Sequence, residues 1–239
     1  MYGQMRLLPI TLLLLFVING AGFNKASGDN KFGFQGGLNA PSMNISISSP
    51  NHQLDHSDMQ VGYHFGAVKN TEKRKWGYSN ALLFSHLSGN FDVTPEENSN
   101  IERISTQYSM NYLDYEATFN VILNAGSVDF YPGLGAFVGI GMFGEENREE
   151  WLASGDPENY SRDLGWGGED GGEDGIALAD AGVNAKIDMD FESFRLGGSY
   201  RFGFRDFPVK DENINLHHRV FRAYVGLWIS ELFDPRRRY

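Results

Sequence analysis

The 239-residue chain carries a net charge of −11 and no cysteine. Disulfides, thiol chemistry and cysteine-type zinc sites are therefore excluded, and the acidic balance argues against nucleic acid as the main partner. The length fits one well-packed domain.

The chain opens with a short positive segment at Arg6, an apolar run of twelve residues from Leu7 to Ile18, and small residues at Gly20-Ala21-Gly22. That is the layout of a secretory signal peptide. Residues 1–22 are expected to be the signal and 23–239 the mature domain. Twelve apolar residues fall short of the about 20 that a spanning helix needs. No second run is long enough either, so a membrane-embedded mature chain has to be a closed sheet.

Eight segments alternate apolar with small or polar residues, the period of a strand with two unlike faces. Lys31 to Ala40 sets Phe32, Phe34 and Leu38 against Gly33, Gln35, Gly37 and Asn39, with a continuation through Met43, Ile45 and Ile47. Met59 to Val68 sets Val61, Tyr63 and Phe65 against Gln60, Gly62 and His64. Trp76 to Phe91 is the third segment, and Ile104 to Ile122 the fourth. In the fourth the apolar set changes parity between Tyr112 and Leu113, which predicts a β-bulge there. Val128 to Met142 opposes Phe130, Leu134, Val138 and Ile140 to four glycines. Ile176 to Ile187 follows. The seventh segment turns Phe194, Leu196, Tyr200, Phe202 and Phe204 one way and Arg195, Gly197, Ser199 and Arg201 the other. Val220 to Ser230 closes the series.

The connections alternate in length. The odd ones, Ser48–Asp58, Asp92–Glu102, Glu145–Gly175 and Asp206–His217, are long; Lys69–Lys75, Leu123–Ser127 and Asp188–Asp190 are short. Short periplasmic turns alternating with longer outer loops mark outer-membrane barrels. The expected fold is all-β, an eight-stranded antiparallel up-and-down transmembrane β-barrel. Its second face carries Asp114, Glu116, Asp129, Asp180, Lys186, Arg195, Arg201 and Arg222 among glycines. Small residues and pairable charges suit a narrow, filled interior, so the apolar face is assigned to lipid.

The segments together resemble the PorT-type outer-membrane β-barrel domain family of Bacteroidota, small barrels of the OmpA/OmpX kind. The likeness spans about Lys31 to Phe233. It rests on Phe32-Gly33-Phe34-Gln35-Gly36-Gly37-Leu38-Asn39, Tyr112-Leu113-Asp114-Tyr115-Glu116, Tyr131-Pro132-Gly133-Leu134-Gly135-Ala136-Phe137-Val138-Gly139 and Phe194-Arg195-Leu196-Gly197-Gly198-Ser199-Tyr200. The resemblance implies a barrel in the bacterial cell outer membrane and no defined activity; the name-giving member serves a protein-secretion system.

The candidate site is a charge network inside the barrel: Asp114, Glu116, Asp180, Lys186, Arg195, Arg201 and Arg222. No cofactor is expected. From Glu145 to Asp174, eleven acids face two arginines, a local balance of −9. This stretch reads as a solvated acidic loop, with Ca²⁺ or protein binding at Gly167–Gly175 left open. His52, Asp55, His56 and Asp58 form a weak second metal candidate, since no motif of defined ligand geometry is present. Ser79-Asn80-Ala81 resembles part of a deacylase motif, but Gly77 stands where the base is needed. No catalytic chemistry is evident, and the chain is not expected to be an enzyme. The expected role is structural or interactive, with outer-membrane lipid and a protein partner at the outer loops or periplasmic turns. A small-ligand-binding barrel or a lipid-modifying enzyme remains the alternative.

Overall fold

A computed structural model describes residues 29–47, 53–94, 100–153, 155–165, 179–191, 193–208 and 214–232. The signal segment and Gly167–Gly175 lie outside the described residues. The strands are β1 (Asp29–Ile47), β2 (Gln53–Lys73), β3 (Trp76–Thr94), β4 (Ile101–Val121), β5 (Leu123–Ala125), β6 (Val128–Leu152), β7 (Pro157–Gly165), β8 (Ala179–Phe191), β9 (Phe194–Pro208) and β10 (Ile214–Trp228), followed by a helical turn α1 (Ile229–Leu232).

Every pairing is antiparallel, and the order β4-β3-β2-β1-β10-β9-β8-β6 returns to its start because β6 also pairs with β4. Eight strands form a closed ring. The short β5 continues β4 and pairs with the first residues of β6, while β7 pairs only with the far end of β6.

Turn chemistry explains the tight end. Two residues, Arg74-Lys75, join β2 to β3, and Gly126-Ser127 join β5 to β6. Such turns need positive φ; Arg74 (48°) and Gly126 (72°) supply it. The short connections are thus shorter than the sequence suggests. Asp188–Asp190, expected as a turn, belongs to β8, which runs on to Phe191. The eighth strand stops at Trp228 rather than Ser230, because the chain turns helical at Ile229.

At the opposite end the strands run far beyond a bilayer. β6 has 25 residues, against about 9–11 needed to cross. The acidic stretch after Met142 is therefore not a loop throughout its described part. Residues 143–151 pair with 157–165 in a hairpin that extends the sheet beyond β4, whose far end also pairs with β3. Backbone pairing wins there because β4 runs beside β6 as far as Leu152 on its other side.

The fourth strand also corrects an expectation. β4 keeps one parity from Thr106 to Asn120, with even-numbered side chains turned inwards and buried. The bulge is on its partner: Asn111 pairs with Phe143 and Tyr112 with Gly141, leaving Met142 as the extra residue of β6. The apolar set changes faces along β4 because the interior changes character, from apolar around Tyr108, Met110 and Tyr112 to charged at Asp114 and Glu116.

Candidate functional site

Alternation along eight paired strands makes two surfaces. The outer one is apolar on every strand. Exposed side chains include Phe34 and Leu38 of β1, Phe65 of β2, Trp76 of β3, Phe119 of β4, Leu134 of β6, Ile187 of β8, Tyr200 of β9 and Val225 of β10. Leu134 is 72% exposed. Soluble monomers rarely expose contiguous apolar patches beyond a few hundred Å²; here the patch circles the molecule.

The inner surface is polar and sorted into two tiers. Nearer the short turns, Arg195 places Nε 2.6 Å from Asp190 and Nη1 3.2 Å from Asp188. Lys186 reaches Asp188 at 2.9 Å, and Lys31 joins Glu72 at 3.1 Å and Asp190 at 3.5 Å. Tyr224 donates its hydroxyl to Asp188. The Arg195 guanidinium lies 4.3 Å from the Trp228 ring centroid and 5.5 Å from that of Tyr131. Three cations and three anions balance in this tier.

In the second tier Arg222 sends Nη1 to Glu116 at 2.5 Å and Nη2 to Asp114 at 2.7 Å. Arg201 grips both oxygens of Asp114, at 2.7 and 3.2 Å. Ser85 donates to Asp114 at 2.7 Å and accepts from Arg222 at 2.9 Å. Two arginines thus hold two carboxylates, and a third, Asp180, lines the same region beside Arg201. Removing ions from water costs several kcal/mol each unless partners and hydrogen bonds compensate, and both tiers are built to do that. Beside them His64 Nδ1 pairs with Asn39 Oδ1 at 2.8 Å.

Apolar side chains share the inner surface with the charged tiers. Val68, Ala81, Leu83 and Trp228 form one cluster, with Val68, Ala81 and Leu83 between the tiers; Leu87, Met110, Tyr112 and Val220 pack above the upper tier. Between the upper tier and its cap, a cavity of about 10 Å³ remains among Tyr112, Asp114, Phe137, Asp180 and Arg201. That is at or below the space one water needs. Glycines make room for the large groups: a Cβ on Gly197 would strike the Tyr224 ring and the Asp188 carboxylate.

The structure brings Asp114, Glu116, Arg201 and Arg222 into one tier and Lys186 and Arg195 into the other. Asp180 also turns inwards, against Gly203, while Asp129 sits at a turn and accepts from Asn124 at 2.6 Å. Sequence reasoning missed Lys31, Glu72, Asp188, Asp190 and Tyr224. Inward parity with Lys186 was the available signal for both aspartates.

Ser79 is inward and engaged. Its hydroxyl donates to Asn70 (2.6 Å) and accepts from Asn120 (2.7 Å) and Lys186 (3.1 Å). His86 is on the opposite face of β3, stacked on Tyr63 and paired with Asn111 at 3.1 Å. The two cannot act together. His52 lies outside the described residues, and Asp55, His56 and Asp58 lie in β2 with side chains that are not described. Among the described residues no group of three ligating side chains could hold a metal ion.

No protein-family model matches the chain, and no curated protein matches it. Among solved structures it is similar to Ail, the attachment invasion locus protein of Yersinia pestis, at 13% identity over 83% of this chain and 99% of that one, with a TM-score of 0.35. It is similar to Neisserial surface protein A at 10% identity, 83% and 97% coverage and a TM-score of 0.39. A third likeness is to the outer membrane protein OprG from Pseudomonas aeruginosa, at 13% identity, 84% and 96% coverage and a TM-score of 0.37. Scores this low carry no argument; the eight-stranded barrel rests on its own strand pairing.

Proposed function

We propose that the chain is an outer-membrane barrel with a structural or interaction role, its interior closed to solutes. One observation carries this reading: a complete apolar belt surrounds an interior of paired, hydrogen-bonded charges. Lipid is the solvent that such a belt fits, and a sheet crosses lipid only when closed. A small-ligand barrel would need an interior of roughly 300–1,000 Å³, far above the space left under the upper cap. The resemblance to the PorT-type family supports the same role, with a protein partner at the outer extension or the short turns.

Membrane fractionation tests the reading. The full-length protein is expected in the outer-membrane fraction, with a folded band on gels that shifts on heating. Recovery as a soluble, detergent-independent protein overturns it.

A further inference from the structure

Beyond the apolar belt, the outer face of β4, β6 and β7 continues without a break but changes chemistry. Along β4 the outward residues run from Val121, Phe119, Ala117, Tyr115 and Leu113 to Asn111, Ser109, Gln107 and Ser105. Along β6 they change from Phe143, 56% exposed, to Glu145, Asn147 and Glu149. Register aligns them in rows across the three strands: Gln107, Asn147 and Ser161 in one, Ser105, Glu149 and Asn159 in the next. At the far end of the same face stands Trp151, 38% exposed. The two rows line a groove of about 440 Å³, within the range of small-ligand sites.

We propose that this face binds the neutral saccharide chains of the glycolipids that surround the barrel in the outer leaflet. The inference rests on the outer-membrane reading above. Amide side chains offer a donor and an acceptor together, and serine hydroxyls offer both, which matches the neighbouring hydroxyls of a sugar. An exposed indole presents a flat apolar surface to the C–H face of a pyranose ring while its N–H stays available.

Charge selects the class. Glu145, Glu149 and Asp163 share this face, and Glu145 pairs directly with Asp163. Arg103, beside Trp151, is already committed to Asp92 at 2.5 Å. Arg148 of the same groove is held by Glu150 at 2.7 Å, so phosphate or acidic sugar would meet these carboxylates, whereas a neutral chain uses them as acceptors.

Position selects the source. From Phe143 to Trp151 the strand advances about 27 Å at the usual rise per residue. The groove therefore stands directly above the lipid belt on the same outward face, where glycolipid head groups project.

The full-length protein in detergent micelles is titrated with the saccharide chain of the outer-leaflet glycolipid, freed of lipid, phosphate and acidic sugar. Saturable binding is expected, weakened at least tenfold by Trp151→Ala and by Asn147→Ala, while both variants keep the heat-shifted folded band. No saturable binding, equal binding by folded variants, or binding of the lipid portion alone overturns the proposal. Failure in a protein that still fractionates with outer membranes refutes the saccharide site only; loss of membrane fractionation refutes the reading beneath it.

Discussion

Arg222 of β10 and Asp114 of β4 meet at 2.7 Å although 108 residues separate them. Their strands stand four places apart in the ring of eight, so the bond crosses the lumen from wall to wall. With Arg201 reaching the same carboxylate from β9, one aspartate ties β4 to the neighbouring strands β9 and β10, neither of which pairs with it through the backbone.

Breaking that tie is costly. Arg222→Met leaves Asp114 and Glu116 with one arginine between them. Loss of one partner of a buried pair costs about 3–5 kcal/mol. Urea unfolding in lipid vesicles should show that loss, with part of it recovered in Arg222→Met/Glu116→Met. A single variant as stable as the parent would mean that the interior is hydrated.

How far the sequence reveals this depends on the link concerned. Period-two alternation places Arg195, Arg201 and Arg222 on the face opposite Phe194, Tyr200 and Phe221, because side-chain direction is local. Which acid each arginine meets follows from ring closure and stagger, which no single strand encodes. Hence Asp188 and Asp190, flanked by Met189 and Phe191, read as turn residues while they lie in the wall of the lower tier. The β6–β7 hairpin was illegible for another reason. Both of its faces are polar, so alternation vanishes and the segment resembles a solvated loop.

Two adjacent glycines on β9 should behave oppositely. A Cβ on Gly197 meets Tyr224 and Asp188, whereas on Gly198 the nearest atoms are 3.5 and 3.9 Å away. Overpacking costs about 1–3 kcal/mol, so Gly197→Ala should unfold at lower urea than the parent and Gly198→Ala within a few tenths of a kcal/mol of it. Equal effects would contradict the interior placement of Gly197.

The lipid face makes a separate demand. Leu134→Arg places a charge in the middle of the belt, which should cost about 2–4 kcal/mol. Leu134→Ala should cost less. Unfolding in vesicles measures both, and an arginine tolerated better than alanine would mean that this face meets water.

The outer extension should be dispensable for closure. Replacing residues 145–165 by a short Gly/Ser turn leaves the β6–β8 pairing at 129–140 intact. The folded band should persist on gels. Its loss would show that the hairpin holds the barrel together.

The central claim is that the aromatic face of each strand meets lipid and the arginine face meets a closed interior. The chain has no cysteine, so single cysteines placed one at a time from Phe194 to Phe204 can each carry one nitroxide label. In vesicles, collision with oxygen should be high at even positions and low at odd ones, with a water-soluble nickel reagent excluded from both through the belt. Nickel access at Leu196, Tyr200 and Phe202, or oxygen access without a period of two, would contradict the account.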